Sequence, residues 1–239
     1  MTLLSHVSAL TTRITVGTSA LIPACRQPVS AAQTIASLDL LSAGRLVLGV
    51  GAGFPGRSDV EFALTGVLAT GRSARLDDIV ALWRLLWSKI PATSFHRSVL
   101  NYEGLSDRFP THRTGGPPIW LAAGNAGALS RAGRLYDGWL PYPPTADAYA
   151  AGLANVQRAA TEAQRPLPTP ALFVTIAVAD DVATGRQVLE EYSQASYGAP
   201  LEYVESIQTF IAGPRGHVRA ELDRFVDAGS GTSSSDCRR

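Results

Sequence analysis

Apolar and polar positions follow one another along this chain in two rhythms. Short, nearly continuous apolar runs occur at Ile14–Ile22 (ITVGTSALI), Arg45–Gly53 (RLVLGVGAG), Pro118–Gly124 (PIWLAAG), Gly138–Tyr142 and Ala171–Ala179 (ALFVTIAVA). Between them, apolar residues recur every three or four positions in Val29–Leu41, Arg72–Trp87, Asn125–Tyr136, Ala146–Gln164, Ala183–Tyr197 and Pro214–Ala228. The first rhythm predicts buried strands and the second predicts helices with one apolar face. Arg72–Trp87 is the clearest helix, with Leu76, Ile79, Val80, Trp83, Leu86 and Trp87 on one side. Ser94–Gly104 predicts a short polar hairpin. Strands alternating with helices give an α/β protein with a parallel sheet, either an open doubly wound sheet or a (β/α) barrel. Five strands suit the open sheet better, since an eight-stranded barrel usually needs about 250 residues.

Composition narrows the function classes. Of 239 residues, 46% are hydrophobic and 17% charged, which predicts a folded core rather than a disordered chain. The net charge of +1 offers no basic face, so nucleic acid is not an expected partner. The apolar runs reach only about nine residues, too short for a bilayer. The segment MTLLSHVSALTTRI has no cationic start or small-residue cleavage site, so no signal peptide is expected. Two cysteines, Cys25 and Cys237, make no disulfide framework, and the expectation is a soluble, cytoplasmic protein. His6, His96, His112 and His217 lack metal-ligand spacing, so no metal site is expected. Cys25 reads as an inert small residue.

The stretch Gly44–Asp59 raises the question of a phosphate cradle. Gly51-x-Gly53-x-x-Gly56 satisfies a dinucleotide fingerprint, and Gly51–Ser58 resembles a triphosphate loop with Arg57 in place of lysine. Both motifs need a helix opening directly after the glycines. Pro55 interrupts the turn and no clear helix follows Gly56, so the spacing alone reads as a strand end bending into a long loop. Trp83, Trp87 and Trp120 read as core.

Four patterns in order resemble the luciferase-like flavin monooxygenase superfamily: T-x-R-I-x-x-G-T from Thr11, L-D-x-L-S-x-G-R-x-x-x-G-x-G-x-G from Leu38, P-P-I-W-L-x-x-G from Pro117, and D-G-W from Asp137. The resemblance runs from about Leu3 to Ala228. It implies a TIM-type (β/α)8 barrel that takes FMN, or the deazaflavin F420, at the C-terminal ends of its strands. Strands three to seven of that barrel would be present in residues 1–228, with 229–239 a polar tail. Members of the family begin with two further strands and end with an eighth. A back-translation of the tail read in the neighbouring frame encodes an apolar strand, which makes a frameshift an expectation there. The exposed flanks of an incomplete barrel would favour a homodimer.

The resemblance also implies a set of cofactor-binding residues. Thr18, Ser19 and Ala20 correspond to the strand that carries a non-prolyl cis peptide beneath the flavin ring. Gly51, Ala52 and Gly53 would approach the flavin through backbone atoms. Bacterial luciferase has an arginine near the position of Ala52 that helps hold the flavin phosphate, and the alanine removes that contact. Ala123, Gly124, Asn125, Ala126 and Gly127 would form the phosphate seat, with Asn125 capping a helix whose first amides stay free. Arg57 and Trp139 are the candidate substrate-side residues, and no general acid or base is assigned. The implied activity is that of a flavin-dependent oxidoreductase or monooxygenase acting on a small organic substrate, with dioxygen and a flavin reductase as partners in the FMN case. A truncated, non-catalytic flavin-binding protein is the alternative.

Overall fold

A computed structural model of the chain describes residues 1–54, 56, 58–105, 108–143 and 145–231. The chain forms two compact units, Met1–Ala122 and a second that begins at Ala123. Pro55, Arg57 and the tail 232–239 lie outside the described residues, and with them the substrate-side reading of Arg57 and the frameshift reading of the tail.

The first unit contains α1 (Thr2–Leu10), β1 (Val16–Leu21), α2 (Pro28–Leu41), β2 (Leu46–Val50), α3 (Asp59–Leu64), α4 (Arg72–Leu86), β3 (Ser94–His96), β4 (Asn101–Glu103) and β5 (Ile119–Leu121). A one-turn 3-10 helix, Pro23–Cys25, joins β1 to α2. Strands β1, β2 and β5 pair in parallel in that order, with Leu48 opposite Ile119 and Val50 opposite Leu121. Opposite residues of a parallel pair share a face. Leu46, Leu48, Val50, Ile119 and Leu121 are all buried, so they define the face covered by helices. All six residues expected on the apolar side of α4 are buried. Two of them also anchor the helix pair, since Trp83 Nε1 donates to the Pro28 carbonyl at 2.8 Å and Trp87 Nε1 to the Ala32 carbonyl at 3.0 Å. The polar hairpin is β3 and β4, antiparallel as expected. Asp78 of α4 holds its turn by accepting from the amides of Val99 at 2.7 Å and Leu100 at 3.1 Å.

The L-D-x-L-S-x-G-R signature has a structural explanation. Asp39 is fully buried, and its Oδ2 accepts from the amides of His112 at 2.8 Å and Arg113 at 3.2 Å. Arg45 donates to the carbonyls of Ser8, Thr11 and Ile14 and to Thr11 Oγ1, tying down the end of α1 and the entry to β1. Gly44 adopts φ +76°, and a Cβ there would lie 2.5 Å from the His112 ring. Asp39→Ala takes the carboxylate acceptor from the His112 and Arg113 amides. It is expected to cost about 3 kcal/mol, read as a lowered urea midpoint with unchanged far-UV dichroism before the transition.

The second unit contains α5 (Ala126–Leu135), β6 (Gly138–Trp139), α6 (Ala146–Glu162), β7 (Thr169–Pro170), β8 (Thr175–Val178), α7 (Val182–Tyr197), α8 (Leu201–Glu205), β9 (Phe210–Gly213) and α9 (Arg215–Asp227). Strands β6 and β7 pair in parallel, and so do β8 and β9. The apolar run expected as one strand, Ala171–Ala179, therefore changes partners. Its start continues the β6 side, with Ala171 N donating to the Trp139 carbonyl at 2.9 Å and Phe173 N to the Pro141 carbonyl at 3.0 Å. Its later residues pair with β9.

Five elements escaped the periodicity reading: α1, α3, β7, α8 and β9. Helix α3 corrects the expectation that no helix follows Gly56. It was obscured because it is six residues long and buries only Phe62. Among the described residues no helix is long and apolar enough to cross a membrane.

In the second unit Tyr149 is fully buried between Trp139, at 5.0 Å between ring centroids, and Phe225, edge-on at 6.2 Å. Its hydroxyl has no hydrogen-bond partner among the described residues. Burial pushes its pKa from 10.0 up to about 12. The folded protein therefore holds the phenol neutral where the unfolded chain would ionise it. That contribution to stability is whole below about pH 10 and disappears as pH rises through about 12. Tyr149→Phe removes an unsatisfied buried hydroxyl. The variant is expected to be more stable by about 1 kcal/mol at neutral pH and to lose less stability between pH 10 and 12, measured by urea unfolding across that range.

Candidate functional site

The face of the β1-β2-β5 sheet opposite the helices is paved with small residues. Since Leu48 and Val50 face the helices, Gly49 and Gly51 of the same chain segment face the other way, and Trp120 and Ala122 do so beside them. Gly51 stands just past the C-terminal end of β2. Its amide donates to the Leu21 carbonyl at 2.8 Å, and the Ala122 amide donates to the Val50 carbonyl at 2.8 Å. A Cβ built on Gly51 would lie 3.7 Å from the Cβ of Ala20 and 3.7 Å from that of Ala122. Three parallel strands thus end in a shallow cradle of Ala20, Gly51 and Ala122, with main-chain groups where side chains would otherwise stand.

The β1 side of this cradle is irregular. Thr18 opposes Leu48, yet Leu21 opposes Val50, so β1 spends three residues where β2 spends two. This one-residue bulge turns Ser19 and Ala20 outward, and both are exposed. The peptide between them is cis, at the place the family pattern implied. Thr18 itself donates its hydroxyl to the Gly49 carbonyl at 2.8 Å.

The other glycine of the Gly51–Gly53 segment has a separate task. Gly53 adopts φ +82°, and a Cβ there would sit 2.9 Å from Phe62 Cε2 and 3.0 Å from Ser58 Cβ. It lets α3 approach the strand end closely. Ser58 completes the turn by accepting from the Phe54 amide at 3.0 Å.

Trp120 corrects the expectation that it belongs to the core. It is half-buried on the small-residue face, and its indole N–H has no acceptor among the described residues. The other three indoles of the chain all donate to backbone carbonyls. Alternation within β5 was the available signal, because Ile119 and Leu121 cannot share a face with the residue between them.

In the second unit, Asn125 caps α5 as expected, its Oδ1 accepting from the Ala128 amide at 2.9 Å. Ala126 and Gly127 open the helix and are exposed. Nothing lies within 4 Å of a Cβ placed on Gly124. The start of this ten-residue helix therefore presents backbone amides to open space, an arrangement that favours anions. Trp139 is buried within this unit, and its indole donates to the Ala123 carbonyl at 3.0 Å. It braces the residue that leads into α5. Cys25 is a free, half-buried thiol.

Residues 1–231 match the family described as luciferase-like monooxygenase. The chain belongs to that family. It is similar to an F420-dependent glucose-6-phosphate dehydrogenase from Kineococcus radiotolerans, with 37% identity over 139 residues, covering 57% of this chain and 40% of that protein. The chain thus spans well under two thirds of that relative's length. Among solved structures, a monooxygenase from Streptomyces bottropensis superposes with a TM-score of 0.78 at 21% identity, covering 95% of this chain and 71% of that one. The oxygenating component of 3,6-diketocamphane monooxygenase from Pseudomonas putida, solved with FMN, gives a TM-score of 0.72 at 19% identity, covering 96% and 74%. These likenesses establish the luciferase-like α/β fold.

The cradle fits a planar ring system. Its three residues carry at most a methyl group, none is ionisable, and a Cβ on Gly51 would meet its neighbours only at ordinary contact distance.

Proposed function

We propose that the chain works with the deazaflavin F420 to exchange hydride with a small organic substrate. The observation that carries this reading is the Ala20–Gly51–Ala122 cradle at the ends of three parallel strands. The choice of F420 is supported by the Kineococcus relative and by Ala52, which leaves no arginine at the position where bacterial luciferase uses one for the flavin phosphate. When bound, the cofactor supplies the hydride chemistry, while the protein supplies orientation and exclusion of water.

In this reading, Gly51 gives the ring room and Ala20 and Ala122 bound it. Ala52 and Gly53 offer backbone groups beside it, and Thr18 and Ser19 shape the β1 rim. The amides at the start of α5, from Ala123 to Gly127, separately suit a phosphate group, and Trp139 holds Ala123 in place.

Titrating the purified chain with F420 and, separately, with FMN tests the proposal, with visible absorption and tryptophan fluorescence as readouts. F420 is expected to bind and FMN to bind more weakly. Binding of FMN alone would move the reading to a flavin monooxygenase. F420 binding with no turnover of reduced F420 across a panel of ketones and aldehydes would leave a cofactor-binding protein without catalysis. Binding of neither overturns the proposal.

A further inference from the structure

We infer that Thr18 is the positioning residue of the cradle, acting through the Gly49 carbonyl rather than by touching the ligand. Three observations meet at this side chain. The β1–β2 ladder is regular through the pair Thr18–Leu48 and regains its pairing only at Leu21–Val50. Thr18 Oγ1 bridges to β2 at this interruption, 2.8 Å from the Gly49 carbonyl. Past the bulge, Gly51 N donates to the Leu21 carbonyl at 2.8 Å, and Gly51 is the centre of the cradle.

A bulge leaves a residue unpaired and loosens the local ladder. A side-chain hydroxyl bonded to the Gly49 carbonyl adds a cross-strand tie at the bulge. Thr18 is half-buried and faces the helix side with Leu48, so its hydroxyl lies away from the cradle surface while its bond fixes the strand beneath it. The separation of Ala20 from Gly51 is then set by a residue on the opposite face. Gly17, one position earlier, allows the close approach this requires, since a Cβ there would lie 2.8 Å from the Val47 carbonyl oxygen.

Thr18→Val keeps the shape and removes the hydroxyl, and Thr18→Ser keeps the hydroxyl. Amide hydrogen exchange of the ligand-free protein reads the positioning role without any cofactor. The Gly51 amide is expected to exchange about tenfold faster in Thr18→Val and near the wild-type rate in Thr18→Ser. Affinity for F420, an arm that rests on the proposed function, is expected to fall about tenfold in Thr18→Val and to return in Thr18→Ser. Wild-type failure to bind F420 would count against the proposed function and leave the exchange result to decide the role of Thr18. Unchanged Gly51 exchange in Thr18→Val overturns the inference, as does Thr18→Ser behaving like the valine variant. Weakened binding with unchanged exchange would make Thr18 a direct ligand contact, which also overturns it.

Discussion

Gly51→Leu is expected to abolish cofactor binding, with affinity falling by on the order of a hundredfold or more, while the protein stays folded. Gly51 lies at the centre of the cradle, and its backbone is in an ordinary conformation, so a side chain brings no φ penalty. A single Cβ meets Ala20 and Ala122 at 3.7 Å, which is normal contact. Alanine therefore fits, and Gly51→Ala should bind almost as well as the parent. A leucine instead extends into the space a planar ring would take. Equilibrium titration of both variants, paired with thermal melting, separates a blocked site from a broken fold. Parent-like binding by Gly51→Leu would show that the ring lies elsewhere.

Gly133→Ala is expected to produce the largest loss of stability in the second unit. A Cβ on Gly133 of α5 would lie 2.3 Å from the Val156 carbonyl oxygen and 2.8 Å from the Ala160 nitrogen, both backbone atoms of α6. Backbone cannot swing aside as a side chain can, so the two helices would have to separate and give up their packing. The cost should be about 3 kcal/mol or more, a drop in Tm on the order of 10 °C. Gly127→Ala in the same helix is the control, since its Cβ would meet only Asn125 Oδ1 at 3.6 Å. Calorimetry should find Gly127→Ala close to the parent. A Gly133→Ala protein that melts with it would show that α5 and α6 do not pack as described.

The fold was most legible where burial and period agree. Helix α4 presents six large apolar residues at helical spacing and buries every one of them. Asn125 announced both the cap and the start of α5, because a side-chain acceptor before a helical run has few other uses. Legibility failed where an element buries little of itself. Helix α1 exposes Leu3 and Leu10, each at 72%, and buries only Ser8, so its pattern gives no single inward stripe. Strand β9 is four residues long and follows directly on Gln208 and Thr209, buried polar residues that break the apolar run. The change of partner within Ala171–Ala179 has no sequence signal, because pairing with β6 and pairing with β9 ask for the same apolar residues.

The candidate site was legible in part. The family resemblance implied Ala20 and Gly51 of the cradle but not Ala122, which only the register of β5 against β2 brings beside them. The alternation of β5 could have placed Trp120 on the cradle side, but an aromatic residue in an apolar run reads as core. The bulge at Ser19–Ala20 and the hydroxyl tie from Thr18 depend on register between residues as far apart in sequence as Thr18 and Leu48, which no local pattern contains.

Asp39 and Arg45, the most recognisable letters of the chain, spend themselves on holding a loop and a helix end. Their visible task is therefore to shape the fold. A descendant gene could discard the chemistry entirely and keep both letters, so their presence in any related sequence certifies a sound scaffold and carries no news about turnover.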